Sequence, residues 1–147
     1  KDGSRYEGDF YEGTIYGRGT YQWSNGDFYS GEFQDGQKHG QGSYQWENGE
    51  RYSGEFSQGD LNGQGTYQWP TGQQYIGEYQ NGIKHGQGTY FYVGGQKSEG
   101  EYENGKMNGY NIQYDADGSI YREGIFKDGK FLYAETREKK KPIFKGR

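Results

Sequence analysis

The chain has 147 residues and a net charge of −4, and only 28% of its residues are apolar. That apolar fraction is lopsided, with 17 Tyr, 8 Phe and 3 Trp against ten Ile, Leu and Val together, too few aliphatics for a thick globular core. Aromatics recurring at fixed intervals, with so small a net charge, equally exclude a disordered chain and leave an extended architecture in which rings replace aliphatic packing.

In chain order, the same unit returns every 23 residues. Tyr6-Glu-Gly8-Asp-Phe10 reappears as Tyr29-Ser-Gly31-Glu-Phe33, Tyr52-Ser-Gly54-Glu-Phe56, Tyr75-Ile-Gly77-Glu-Tyr79 and Ser98-Glu-Gly100-Glu-Tyr102. Gly17-Arg-Gly19-Thr-Tyr21-Gln-Trp23 reappears as Gly40-Gln-Gly42-Ser-Tyr44-Gln-Trp46, Gly63-Gln-Gly65-Thr-Tyr67-Gln-Trp69 and Gly86-Gln-Gly88-Thr-Tyr90-Phe-Tyr92. The units run 6–28, 29–51, 52–74, 75–97 and 98–121, with a half unit at 122–133, so an array spans 1–133 and a basic tail 134–147. The fifth unit departs from the rest: it has one extra residue, and Tyr110-Asn-Ile-Gln-Tyr114 replaces the glycine-rich run.

Within each unit the period is two, which predicts strands. Tyr6, Gly8 and Phe10 share one face, as do Gly17, Gly19, Tyr21 and Trp23, while Glu7, Asp9, Arg18, Thr20 and Gln22 take the other. Asn25-Gly26, Asp35-Gly36, Asn48-Gly49, Asn81-Gly82 and Asn104-Gly105 mark turns that need positive φ. Each unit is thus a β-hairpin, and consecutive hairpins pair edge to edge. The expected fold is all-β: a single-layer, elongated, twisted antiparallel sheet, with one aromatic-and-glycine face and one Glu/Gln/Thr face. Five units span on the order of 50 Å at about 4.8 Å per strand. Glycine in the strands has a structural reason, because a neighbouring ring can lie over bare backbone that a Cβ would block.

The pattern Tyr-x-Gly-Glu-Phe/Tyr, followed by Gly-x-Gly-x-Tyr-x-Trp, resembles the MORN (membrane occupation and recognition nexus) repeat over residues 1 to about 133. The resemblance implies a single-layer antiparallel sheet used as an assembly platform, in cytoskeletal, ciliary or membrane-junction scaffolds, or as an accessory domain of lysine methyltransferases and phosphatidylinositol-phosphate kinases. It implies partners too: a helix or extended protein segment held in the trough, or a second copy paired through the sheet. A cytoplasmic location, with cytoskeletal, ciliary or membrane association, is the matching expectation.

The candidate binding groove is an aromatic stripe of Tyr21, Trp23, Tyr44, Trp46, Tyr67, Trp69, Tyr90 and Tyr92. Two roles compete for it, packing over glycine and capture of a protein segment. A single layer leaves this face uncovered, which favours capture. Glu and Asp are expected on its rims, suiting a basic partner.

The remaining motifs carry less. His39 and His85 stand in equivalent Lys-His-Gly positions two hairpins apart, too far to share a metal, and no Ser-His-Asp set surrounds them. Asp115-Ala-Asp117-Gly118 opens like a calcium loop, but the closing glutamate position holds Phe126, so a plain turn is the better reading. Stretches such as Gly40-Gln-Gly42 lack the Lys-Ser/Thr ending of a phosphate loop. With no cysteine there is neither a disulfide nor a thiolate site. No metal, no cofactor and no catalytic constellation is expected.

The tail, 134–147, holds six basic and two acidic residues, a net +4 that leaves −8 on the repeats. Ala134 to Lys141 has the composition for two helical turns ended by Pro142. Three roles stay open: a solvated tail, a cap folded onto the acidic sheet, and an anionic-lipid contact through Lys139, Lys140 and Lys141. The cap is favoured, since three lysines hold a membrane only weakly, at about 1 kcal/mol each. Nucleic-acid binding is not expected, because the acidic array lacks a positive groove. The chain starts at Lys1, and Lys1 to Arg5 read like the end of an earlier repeat, so a longer N-terminus is expected.

Overall fold

The computed structural model describes residues 2–137, which form twelve strands and no helix. The strands are β1 (Arg5–Tyr11), β2 (Thr14–Gln22), β3 (Phe28–Gln34), β4 (Gln37–Gln45), β5 (Arg51–Ser57), β6 (Asp60–Gln68), β7 (Gln74–Gln80), β8 (Ile83–Phe91), β9 (Lys97–Glu103), β10 (Lys106–Tyr114), β11 (Ile120–Lys127) and β12 (Lys130–Ala134). All lie in one open sheet in sequence order, every neighbour antiparallel, as edge-to-edge hairpins require. Ala134, where helical turns were expected to start, instead closes β12, and the Glu135 amide extends the ladder by donating to the Glu123 carbonyl (3.2 Å). Arg137 then lies over the Tyr110 ring (4.4 Å) and donates its amide to the Glu123 carboxylate (3.4 Å).

Two turn types alternate along the array. Six hairpins close on two residues that both have positive φ: Glu12-Gly13, Asp35-Gly36, Gln58-Gly59, Asn81-Gly82, Asn104-Gly105 and Asp128-Gly129. Their twist matches that of the flanking strands, hence the preference for Asn or Asp before Gly. Glu12 and Gln58 hold this conformation without that advantage. Between hairpins a longer loop takes over. The Trp23 amide donates to the Asp27 carbonyl, the Gly26 amide donates back to the Trp23 carbonyl, and Asn25 Oδ1 accepts from the Asp27 amide (2.9 Å). Asn25 and Asn48 thus act through their side chains and not through positive φ. Asp115–Ser119 is the same loop, with Asp117 in the place of Asn25, and that accounts for its partial likeness to a calcium loop.

The core is one ring thick. Tyr29, Tyr52 and Tyr75 have no exposed surface, and Phe33, Phe56, Tyr79 and Tyr102 little. Each tyrosine meets one ring of its own strand and one of the next repeat edge-on. Tyr29 packs against Phe33 (5.0 Å) and Phe56 (5.1 Å), Tyr52 against Phe56 (5.1 Å) and Tyr79 (5.4 Å), and Tyr75 against Tyr79 (5.4 Å) and Tyr102 (5.2 Å). Pairs of this geometry add about 0.5–1.5 kcal/mol each beyond their buried area, so the row joins the second repeat through to the fifth. The same tyrosines cover glycine: a Cβ at Gly42, Gly65 or Gly88 would overlap the hydroxyl of Tyr29, Tyr52 or Tyr75. Each hydroxyl then donates to a carbonyl of its own strand, that of Glu32 (2.8 Å), Glu55 (2.9 Å) or Glu78 (3.2 Å).

The first glycine of each Gly-x-Gly behaves differently from the expected face-sharing. Opposite Glu32, β4 bulges by His39, Gly40 and Gln41, since Gly31 pairs Gly42 while Phe33 already pairs Lys38. Gly40 has φ of 69°, which turns its would-be Cβ from the aromatic face into the Glu32 carboxylate. Gly17, Gly63, Gly86 and Gly109 repeat the arrangement under Asp9, Glu55, Glu78 and Glu101. These acids also accept backbone amides, as from Arg18 to Asp9 (3.2 Å) and Gln64 to Glu55 (3.3 Å).

Candidate functional site on the aromatic face

The eight rings expected to form a stripe do form one. Tyr21 to Trp23 is 4.5 Å, Trp23 to Tyr44 5.3 Å, Tyr44 to Trp46 4.6 Å, Trp46 to Tyr67 5.2 Å, Tyr67 to Trp69 4.6 Å, Trp69 to Tyr90 5.6 Å and Tyr90 to Tyr92 4.8 Å. The rings are tilted by 33–53° to one another, so they overlap like shingles across strands β2 to β8. They do not cover the glycines, a task taken by the separate row of Tyr6, Tyr29, Tyr52 and Tyr75. The period of two put both rows on one face but could not say which ring covers which backbone. Tyr21 to Tyr90 stay half-buried and Tyr92 is 38% exposed.

Hydroxyl anchors hold the ladder. Tyr44 donates to the Asp27 carboxylate (2.7 Å), whose other oxygen accepts the Glu47 amide (2.9 Å), so one buried acid ties ring to loop. Tyr67 donates to Glu50 in the equivalent position. Desolvation, reinforced by the acceptor carboxylate, pushes both phenols far above their ordinary range, so they remain neutral donors. Tyr92 reaches the buried Ser98 hydroxyl (3.0 Å). The ladder stops there because Gln113 and Asp115 stand where Tyr90 and Tyr92 stand one repeat earlier. A cavity of about 470 Å³ opens beyond it, lined by Tyr92, Ser98, Gln113, Tyr114 and Tyr121 among others.

Two cations enter the site that sequence reasoning missed. Lys38 Nζ lies 5.5 Å from the Trp23 ring centre and 5.3 Å from that of Tyr44, and Lys84 Nζ lies 5.9 Å from Trp69 and 5.4 Å from Tyr75. The signal was available, since Lys38 has the strand parity of Tyr44, and Lys84 that of Tyr90. Desolvation lowers both amines; Asp60 and Asp27 partly offset this at Lys38. A recess of about 270 Å³ is lined by Lys38 with Tyr21, Trp23 and Phe33, and one of about 250 Å³ by Lys84 with Tyr90, Tyr92, Tyr102 and Met107. The acids expected on the rims are placed otherwise. Asp27 and Glu50 are engaged by ladder phenols, and the column from Asp9 to Glu101 folds over the bulge glycines on the other face.

Lys139, Lys140 and Lys141 lie outside the described residues. Among the described residues, no three His, Asp or Glu side chains gather where they could hold a metal ion. His39 sits over a polar recess with Gln34, Asp35, Gln37 and Gln58.

The MORN-repeat family profile matches residues 6–28, 29–51, 52–74, 75–97 and 99–120. The chain belongs to the MORN-repeat family. Comparison with curated proteins returned no match. MORN repeats are in general non-catalytic modules that bind proteins or lipids. In this MORN array the core tyrosines cover the strand glycines, and the Tyr–Trp ladder runs beside them on the same face.

Proposed function

We propose that this MORN array is a non-catalytic adaptor that captures a segment of a partner protein along the Tyr21–Tyr92 ladder. One observation carries the reading: an unbroken run of eight half-exposed rings crosses seven strands of a single-layer sheet that has no second layer to cover it. A fixed aromatic surface of this kind offers contact area at little conformational cost, because its rotamers are already set by packing and hydroxyl anchors. The ladder rings from Tyr21 to Tyr90 pack against the core on one side and keep exposed surface on the other, which is the area offered to a partner.

The test is a pull-down comparing the chain with the Trp23→Ser, Trp46→Ser, Trp69→Ser triple variant, after circular dichroism has shown that the variant keeps its sheet. Partners are expected to be lost from the folded variant. Partners retained in full would reduce the ladder to packing and move binding to the Glu/Gln/Thr face or the basic tail.

A further inference from the structure

The position that faces the core ring across each hairpin varies from unit to unit: Ile15, Lys38, Leu61, Lys84, Met107. Three of these side chains are apolar, as a ring-lined floor demands. The other two are lysines, half-buried at an energetic cost that a Met or Leu would avoid. Neither lysine lies within ion-pair distance of a carboxylate among the described residues. Each borders its own recess beside the ladder, and ring faces hold each ammonium in place. The floor therefore presents two fixed positive charges separated by aliphatic and aromatic surface.

We propose that the groove selects a partner segment bearing two carboxylates, one for Lys38 and one for Lys84, with apolar side chains between them that lie on the rings. This rests on the ladder being the binding surface, and it names the partner's chemistry. Lys38 and Lys84 hold equivalent places on β4 and β8, four strands apart, so their charges sit roughly 19 Å from each other at ~4.8 Å per strand. A helix laid along the ladder spans that distance in about 13 residues at 1.5 Å each, and an extended segment in about six. The charge pattern selects against a basic segment, which would bring ammonium or guanidinium groups against half-buried lysines without releasing either. A flat anionic membrane is the poorer fit, because the amines sit beside recesses and not on protruding tips.

The test is selection of phage-displayed 20-residue peptides on the intact chain, with affinities measured by isothermal titration calorimetry. Enrichment of Asp and Glu flanking apolar residues is expected. The Lys38→Met, Lys84→Met variant copies the residue at Met107 and should bind those peptides about a hundredfold more weakly, about tenfold per lost charge-assisted bond. The Lys38→Arg, Lys84→Arg variant should retain binding, which separates lost charge from a disturbed fold. Selected peptides without acidic enrichment, or equal binding by the Met variant, would overturn the carboxylate assignment while leaving the groove reading intact. Peptides that bind the Trp-to-Ser triple variant undiminished would overturn both. Binding to phosphatidylserine vesicles that needs Lys38 and Lys84 would assign these cations to lipid and overturn the peptide proposal.

Discussion

The third and fifth repeats solve the same backbone problem in opposite ways. In the third, Tyr52 stands on β5, covers Gly65 on β6 and donates to the Glu55 carbonyl. In the fifth, the large and small partners change strands. Ser98 on β9 replaces the tyrosine, Asn111 on β10 replaces the glycine, and Asn111 Nδ2 donates to the Glu101 carbonyl (3.0 Å), the counterpart of the acceptor Tyr52 uses. Ser98 and Asn111 are fully buried, and Ser98 takes hydrogen bonds with Tyr92 and Gln113 (3.1 Å). The backbone acceptor is satisfied either way, but the ring that joins neighbouring repeats is not replaced. The contrast teaches that the motif encodes one ring or one amide over one backbone site, and that only the ring version adds an edge-on ring contact to the next repeat. Past it, Arg122 on β11 pairs with Gln113 in the place that Tyr75 and Ser98 hold in their own repeats, shifted by the extra residue, and stacks on Phe131 (4.8 Å).

Alkali should break the regular repeats most completely. Burial, aided at Tyr29 by the Glu32 charge, pushes the Tyr29 and Tyr52 phenols up to about 12 from an ordinary 10.0. Because the folded-state value is the higher one, this stability is fully present below pH 10 and lost as pH rises through 12. Tyrosinate absorbance should show a late-titrating class that ionises together with loss of the sheet signal; simple titration of all tyrosines near 10 would sink the idea.

Truncation compares the two solutions directly. Tyr52→Ala removes a buried ring with two edge contacts and should cost about 4 kcal/mol, whereas Ser98→Ala should cost about 1 kcal/mol. Urea midpoints by circular dichroism check the difference, and similar values would show that the ring does not couple repeats. Next comes the exchange itself. Ser98→Tyr alone collides with Asn111, and Asn111→Gly alone leaves the Glu101 carbonyl without its donor. Together they rebuild tyrosine over glycine, so the double variant should recover about 2 kcal/mol relative to the sum of the singles. It should also add one tyrosine to the late-titrating class. Additive effects would count against the exchange. The smallest effect belongs to the hairpin turns: Gln58→Asn puts a residue suited to positive φ at φ 50° and should gain about 0.5 kcal/mol. A lowered thermal midpoint would contradict that assignment.

The 23-residue period, the alternation within it and the Gly-paired turns determined on their own the hairpins, their order in one sheet, and the placing of Tyr21 to Tyr92 on a common face. These are local matters, because parity along a strand fixes which way a side chain points. Parity fails where a bulge intervenes. Gly17 and Gly40 leave the aromatic face because their positive φ reverses the direction of the would-be Cβ, and only the cross-strand register shows it. Pairing across strands likewise decided that Tyr29 and not Tyr44 covers Gly42, that Asn111 answers for the missing tyrosine, and that Lys38 and Lys84 stand against indole and phenol rings. Those contacts join residues from different strands and repeats, and a one-dimensional pattern shows the positions without showing which of them meet.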